Sequence, residues 1–126
     1  MAEQSNIQTL INSWNHELAS TEEESKDFCL RQCKIAETML NTEPLKADGI
    51  AAALIHFAQH NIGDHDSKLE IEKEALLVRG ATLYRLTQYQ EALTISSRAL
   101  EIAKEIGDIK GQSFAMNTMG AVAIAQ

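Results

Sequence analysis

The stretch Ala75–Gly107, ALLVRGATLYRLTQYQEALTISSRALEIAKEIG, limits the possible folds more than any other part of the chain. Its second half places Ala92, Ile95, Ala99, Ile102 and Ile106 at three-to-four spacing, with Glu91, Thr94, Arg98, Glu101 and Glu105 opposite. That pattern is a helix with one face to bury. In the first half, Leu76, Leu77, Val78, Ala81, Leu83 and Tyr84 cover most of a helical circumference, so this helix has to be covered on two sides. Neighbouring helices must supply that cover, as in the middle of a stack, and an all-α domain is expected. Gly80 lies mid-helix, where glycine costs about 1 kcal/mol against alanine. Close approach of the second helix, with Ala92 opposite, would offset that cost.

The same residues resemble a tetratricopeptide repeat. The family pattern W-x₂-L-G-x₂-Y, then A-x₃-F, then P runs here as Leu76-x₂-Arg79-Gly80-x₂-Leu83, Ala92-x₃-Ser96 and Lys104. Tyr89-Gln90-Glu91-Ala92-Leu93 and Arg98-Ala99-Leu100-Glu101-Ile102 are close to what the family carries in its second helix. Lys104 replaces the proline, so the helix continues to Ile106, as in the long-helix variant found in peptide-pheromone receptors and ahead of diguanylate cyclase domains. Gly80 and Gly120 stand 40 residues apart, against 34 in the usual unit.

The resemblance implies a short right-handed solenoid of about six helices in a single domain over residues 1–126. Residues 1–63 would be degenerate hairpins, 67–107 the repeat unit, and 108–126 the first helix of a truncated next repeat. It implies repeat packing through Leu76, Gly80, Leu83, Ala92, Ala99 and Gly120. It also implies a partner-binding groove of Glu74, Leu77, Ala81, Tyr84, Arg85, Phe114, Asn117, Ala121 and Ile124. That set is mostly apolar, which suits an apolar or amphipathic protein or peptide partner. The function expected is a non-catalytic regulatory or assembly module, the amino-terminal part of a larger bacterial signalling protein. A stand-alone homo-oligomeric adaptor is the alternative, and a small metal or redox protein a third.

Composition agrees with a helical globular chain: 44% hydrophobic residues, one proline and six glycines. Eleven Lys and Arg against eighteen Asp and Glu give a net charge of −7, and no basic stripe is present to hold phosphates, so nucleic acid is not an expected partner. The start MAEQSNIQTL has neither a basic nor an apolar leader segment, and no apolar run approaches the roughly 20 residues of a membrane span. A cytoplasmic location and no membrane insertion are expected.

Along the chain, Ser5 followed by Gln8 signals a helix start, with Ile7, Leu10, Ile11, Trp14 and Leu18 on one face to about Ala19. Ser20 or Thr21 would cap the next helix, whose buried face runs through Phe28, Cys29, Gln32, Ala36, Met39 and Leu40 to about Asn41. Pro44 opens a third helix, from about Lys46 to Ile62 with Ile50, Ala53, Leu54, Phe57 and Ala58 inward and Gly63 as its cap. Asp66 or Ser67 would cap the fourth, to about Thr87, and Gly107-Asp108 ends the fifth and caps the sixth.

Catalytic patterns are absent: no phosphate loop, nucleophile elbow or isolated carboxylate pair occurs, so no enzyme and no cofactor are expected. Cys29 and Cys33, four apart on one helical face, have Cβ atoms about 5–6 Å apart, too far for a disulfide, and read as free thiols in a core. His56 and His60 share that spacing and are weak metal candidates, with Asp64, His65 or Asp66 near in sequence. Phe114 or Met116, Met119, Val122 and Ile124 cannot all face the fifth helix, and this predicts a homodimer through the carboxyl-terminal helix or else a natural protein that continues.

Overall fold

The computed structural model describes residues 2–17 and 22–126, with the side chains of 7–14 and 24–126. Among these described residues six helices follow in order: α1 Ala2–Glu17, α2 Glu22–Thr38, α3 Pro44–Asn61, α4 His65–Arg85, α5 Tyr89–Ile106 and α6 Ile109–Ala125. No strand occurs among the described residues.

Most boundaries have a local cause. α1 starts at Ala2, which puts Ser5 inside the first turn and not at its cap. Leu18, Ala19, Ser20 and Thr21 lie outside the described residues. α2 ends at Thr38, short of Asn41, because the chain turns back through Glu43 N–H to Met39 O (2.8 Å) to reach Pro44, which fills the first turn of α3. Ile62 leaves α3 extended (φ −111°, ψ 118°) and 2% exposed. Burying its side chain sets the exit of the helix, so the expected left-handed cap at Gly63 is not used.

α4 starts one turn before Ser67. The Asp64 carboxylate accepts both the Ser67 backbone N–H (3.0 Å) and the Ser67 hydroxyl (2.7 Å), which makes Asp64 the cap and places Asp66 and Ser67 in the first turn. These bonds hold the Asp64 carboxyl below its ordinary range. At the other end α4 stops at Arg85, because Thr87 takes a left-handed conformation (φ 61°) and Gln88 N–H returns to Leu83 O at 2.9 Å. α5 closes as expected. Gly107 is left-handed (φ 73°), Asp108 N–H bonds Ala103 O at 2.8 Å, and the Asp108 carboxylate caps α6 through Gly111 N–H at 3.0 Å.

α4 packs against α2, α3, α5 and α6, and α2, α4 and α6 form one row of neighbours. It is covered on two sides, as its sequence demands. Ile71, Ala75 and Val78 join a core with Trp14, Cys29, Leu54 and Phe57, while Leu69, Leu76 and Leu77 join Ala99, Ile102 and Ala115. Trp14 meets Phe28 and Phe57 edge to face, each pair with ring centroids 5.8 Å apart, which ties α1, α2 and α3 together. Leu83, Ala92 and Val122 make a third, smaller cluster.

Gly80 marks the tightest approach of α4 to α5. Its partner is Ser96, not the expected Ala92: an added Cβ would fall well inside contact with Ser96 Oγ and 3.4 Å from Ser96 Cβ. Gly120, the second glycine of the proposed repeat, is exposed, and a Cβ there would meet nothing within 4 Å.

Candidate partner-binding groove

α4 and α6 lie side by side in the row of neighbours and leave a groove between them. Ala81, Tyr84 and Arg85 line it from α4, and Phe114, Asn117, Thr118 and Ala121 from α6. Leu40, from the turn after α2, closes it. Its volume is about 280 Å³, enough for one or two side chains and small for a free metabolite. Six of the nine positions read from the sequence therefore come together: Ala81, Tyr84, Arg85, Phe114, Asn117 and Ala121.

The other three fall elsewhere. Leu77 is 6% exposed and packs in the core with Leu76 and Ile102. Glu74 lies 11 residues before Arg85, about 16 Å along the helix axis, and its carboxylate binds Lys73 Nζ at 2.8 Å. Ile124 is 89% exposed, beyond the groove. Leu40 and Thr118 were not among the expected positions. Leu40 is expected on the buried face of the second helix, but α2 stops at Thr38 and the turn that follows carries Leu40 to the groove, and Thr118 was hidden by its polarity on an otherwise apolar helix.

The charge of the groove is unlike that of the chain. No carboxylate lines it, and its single ion is the Arg85 guanidinium, exposed and without an ion pair among the described residues. Arg85 stands in the last turn of α4, where a cation complements the helix dipole.

A second, polar cleft of about 780 Å³ lies where α4 meets the α5–α6 turn, with Asp66, Glu70, Glu74, Glu105 and Asp108 around Lys73. Lys73 is 4% exposed, an unusual burial for an ammonium. It donates to Asp108 and Glu74. Burial opposes the charged form, but the two hydrogen bonds outweigh it and the Lys73 ammonium is held above its ordinary range. The hydrogen bond from Lys73, with Gly111 N–H next, holds the Asp108 carboxyl below its own. Lys73 therefore ties α4 to the cap of α6. The signal for it was present in sequence, since position 73 falls on the buried stripe of Leu69, Leu76, Gly80 and Leu83.

Cys29 and Cys33 are buried free thiols. Burial pushes each up to about 12, which leaves them protonated and unreactive near neutral pH. His56 and His60 meet edge to face with centroids 4.5 Å apart on the exposed side of α3. No group of three or more His, Cys, Asp or Glu side chains able to hold a metal ion occurs among the described residues. No helix among them is long and apolar enough to cross a membrane. Comparison with known proteins gives no match to any family model, curated protein or solved structure.

Proposed function

We propose that the chain is a non-catalytic, tetratricopeptide-like module that binds a protein or peptide in the groove between α4 and α6. Stacked hairpins with α2, α4 and α6 as the inner row of a short solenoid account for the order in which the helices touch. The observation that carries the reading is the groove itself: an apolar trough between Tyr84 and Phe114 with Arg85 free at its edge, in a chain of net charge −7. Its occupant is a segment that inserts an apolar side chain and sets an Asp or Glu beside it. The work is regulatory or assembly work, of the kind the long-helix repeats do in bacterial signalling proteins.

Selection of a displayed random peptide library on the purified chain tests this. Enriched peptides should carry an apolar residue next to a carboxylate. Arg85→Glu and Ala121→Glu should each lower their affinity by about tenfold or more, a loss of roughly 1.4 kcal/mol, at unchanged melting temperature. Peptides that bind both variants as well as the parent chain, or no enrichment at all, would remove the groove from consideration.

A further inference from the structure

α6 presents three faces to three surroundings. Gly111, Ala115, Thr118 and Val122 are buried, and Phe114, Asn117 and Ala121 border the groove. The third face is a stripe of Ile109, Ser113, Met116, Gly120 and Ile124, all exposed, with the large residues at 71%, 51% and 89% exposure. Spaced four, three, four and four residues apart, these positions stay on one side of the helix for about 22 Å. Apolar surface this long and open is uncommon on a protein with nothing against it.

We propose that this stripe is a self-association surface, on which α6 pairs antiparallel with α6 of a second copy about a two-fold axis. Two features of the stripe select that occupant and that direction. The first is charge. Two copies carrying −7 each repel, so they meet at least electrostatic cost on a face without carboxylates. α6 contains no Asp or Glu, and Lys110 in its first turn is its only charged residue.

The second feature is the order of side chains about the point between Met116 and Asn117. Turned end for end there, four of the five positions match: Ile109 lies over Ile124 of the partner subunit, and Ser113 over Gly120 of the partner subunit, while Met116 falls at the axis beside Met116 of the partner subunit. Large meets large at both ends and at the axis, with the small pairs between them. An added Cβ at Gly120 meets nothing within its own chain, so the space at the small pair has no competing use. Parallel pairing would instead set Lys110 beside Lys110 of the partner subunit and align the helix dipoles. The surface is separate from the groove and does not depend on the reading of it. A single helix pair buries less than the roughly 1,200–2,000 Å² of a standard interface, so the dimer exchanges with monomer at micromolar concentration.

Sedimentation equilibrium on the chain from low to several hundred micromolar tests both parts. The mass should climb from 13.9 kDa toward twice that value. Gly120→Glu should hold it at the monomer value at every concentration, with unchanged helical circular dichroism. Ser113→Cys combined with Gly120→Cys should link two copies by disulfides under mild oxidation while Ser113→Cys alone does not, because antiparallel pairing brings position 113 of each copy to position 120 of the other. A parent chain that stays monomeric, its stripe left for some other chain, would overturn the proposal, as would a Gly120→Glu protein that still dimerises. A double cysteine variant that does not link, or a Ser113→Cys protein that does, would overturn the antiparallel register.

Discussion

Gly80 offers the sharpest test of the packing, because helix propensity and steric contact push it in opposite directions. In an open helix, Gly80→Ala should stabilise by about 1 kcal/mol. Here the new Cβ meets Ser96 Oγ at far less than contact distance, and Ser96 is 1% exposed, with little room to move. Overpacking of this kind costs about 1–3 kcal/mol, so the net change in the parent chain is a loss of up to about 2 kcal/mol. Ser96→Ala removes the clashing oxygen and leaves the two Cβ atoms 3.4 Å apart, an ordinary contact. In that background Gly80→Ala should gain about 0.5–1 kcal/mol, reversing sign. With about 2.1 cal/mol/K of unfolding entropy per residue over 126 residues, each kcal/mol moves the melting temperature by about 4 °C. Thermal melts of the four proteins of the cycle give the coupling directly. If Gly80→Ala stabilises both backgrounds equally, α4 and α5 are not held together at this point, and the reasoning on the seam fails.

Thr87, with φ 61°, pays the left-handed penalty of about 1–2 kcal/mol, while glycine there costs about 0.5–1 kcal/mol in chain entropy. Thr87→Gly should thus raise the melting temperature by about 2–4 °C, and a fall would show that the turn is held by the threonine. Asp108 has its folded value lowered by Lys73, so its contribution is present above the ordinary carboxylate range and fades as pH falls through and below about 4. The melting temperature of Asp108→Asn should therefore lie below that of the parent at pH 7, with the gap narrowing as pH falls below the ordinary carboxylate range; a gap that stays constant with pH would rule out the Lys73 linkage as its source.

How far the fold can be read from the residues varies along the chain. α5 is fully legible because its apolar and charged positions alternate at helical period with nothing competing. Gly107-Asp108 is legible because a left-handed glycine followed by a capping aspartate performs two local jobs. The start of α4 is not, since Ser67 with Glu70 mimics a capping box, while the Asp64 carboxylate reaches the same serine first. Within the groove, Tyr84, Arg85 and Phe114 follow from the repeat resemblance taken position by position. Leu77 does not, because on a helix covered on two sides periodicity cannot tell an inner face from a core face. Glu74 lies too far up α4 to reach the groove and faces the polar cleft, and while the burial of Lys73 shows in its place on the apolar stripe, its partner Asp108, 35 residues later in the chain, does not.

The sharing of α4 between two cores bears on how the molecule comes apart. Trp14, the only tryptophan, is enclosed by Phe28 and Phe57 in the core of α1, α2 and α3, far in sequence from the Ala99 and Ile102 cluster. Its emission reports the loosening of one half, whereas helical circular dichroism averages both. Cooperativity between the halves passes along the buried length of α4, with Ile55 of α3 packed against both cores beside it. With the two clusters meeting along α4, that shared helix decides whether unfolding is one event or two.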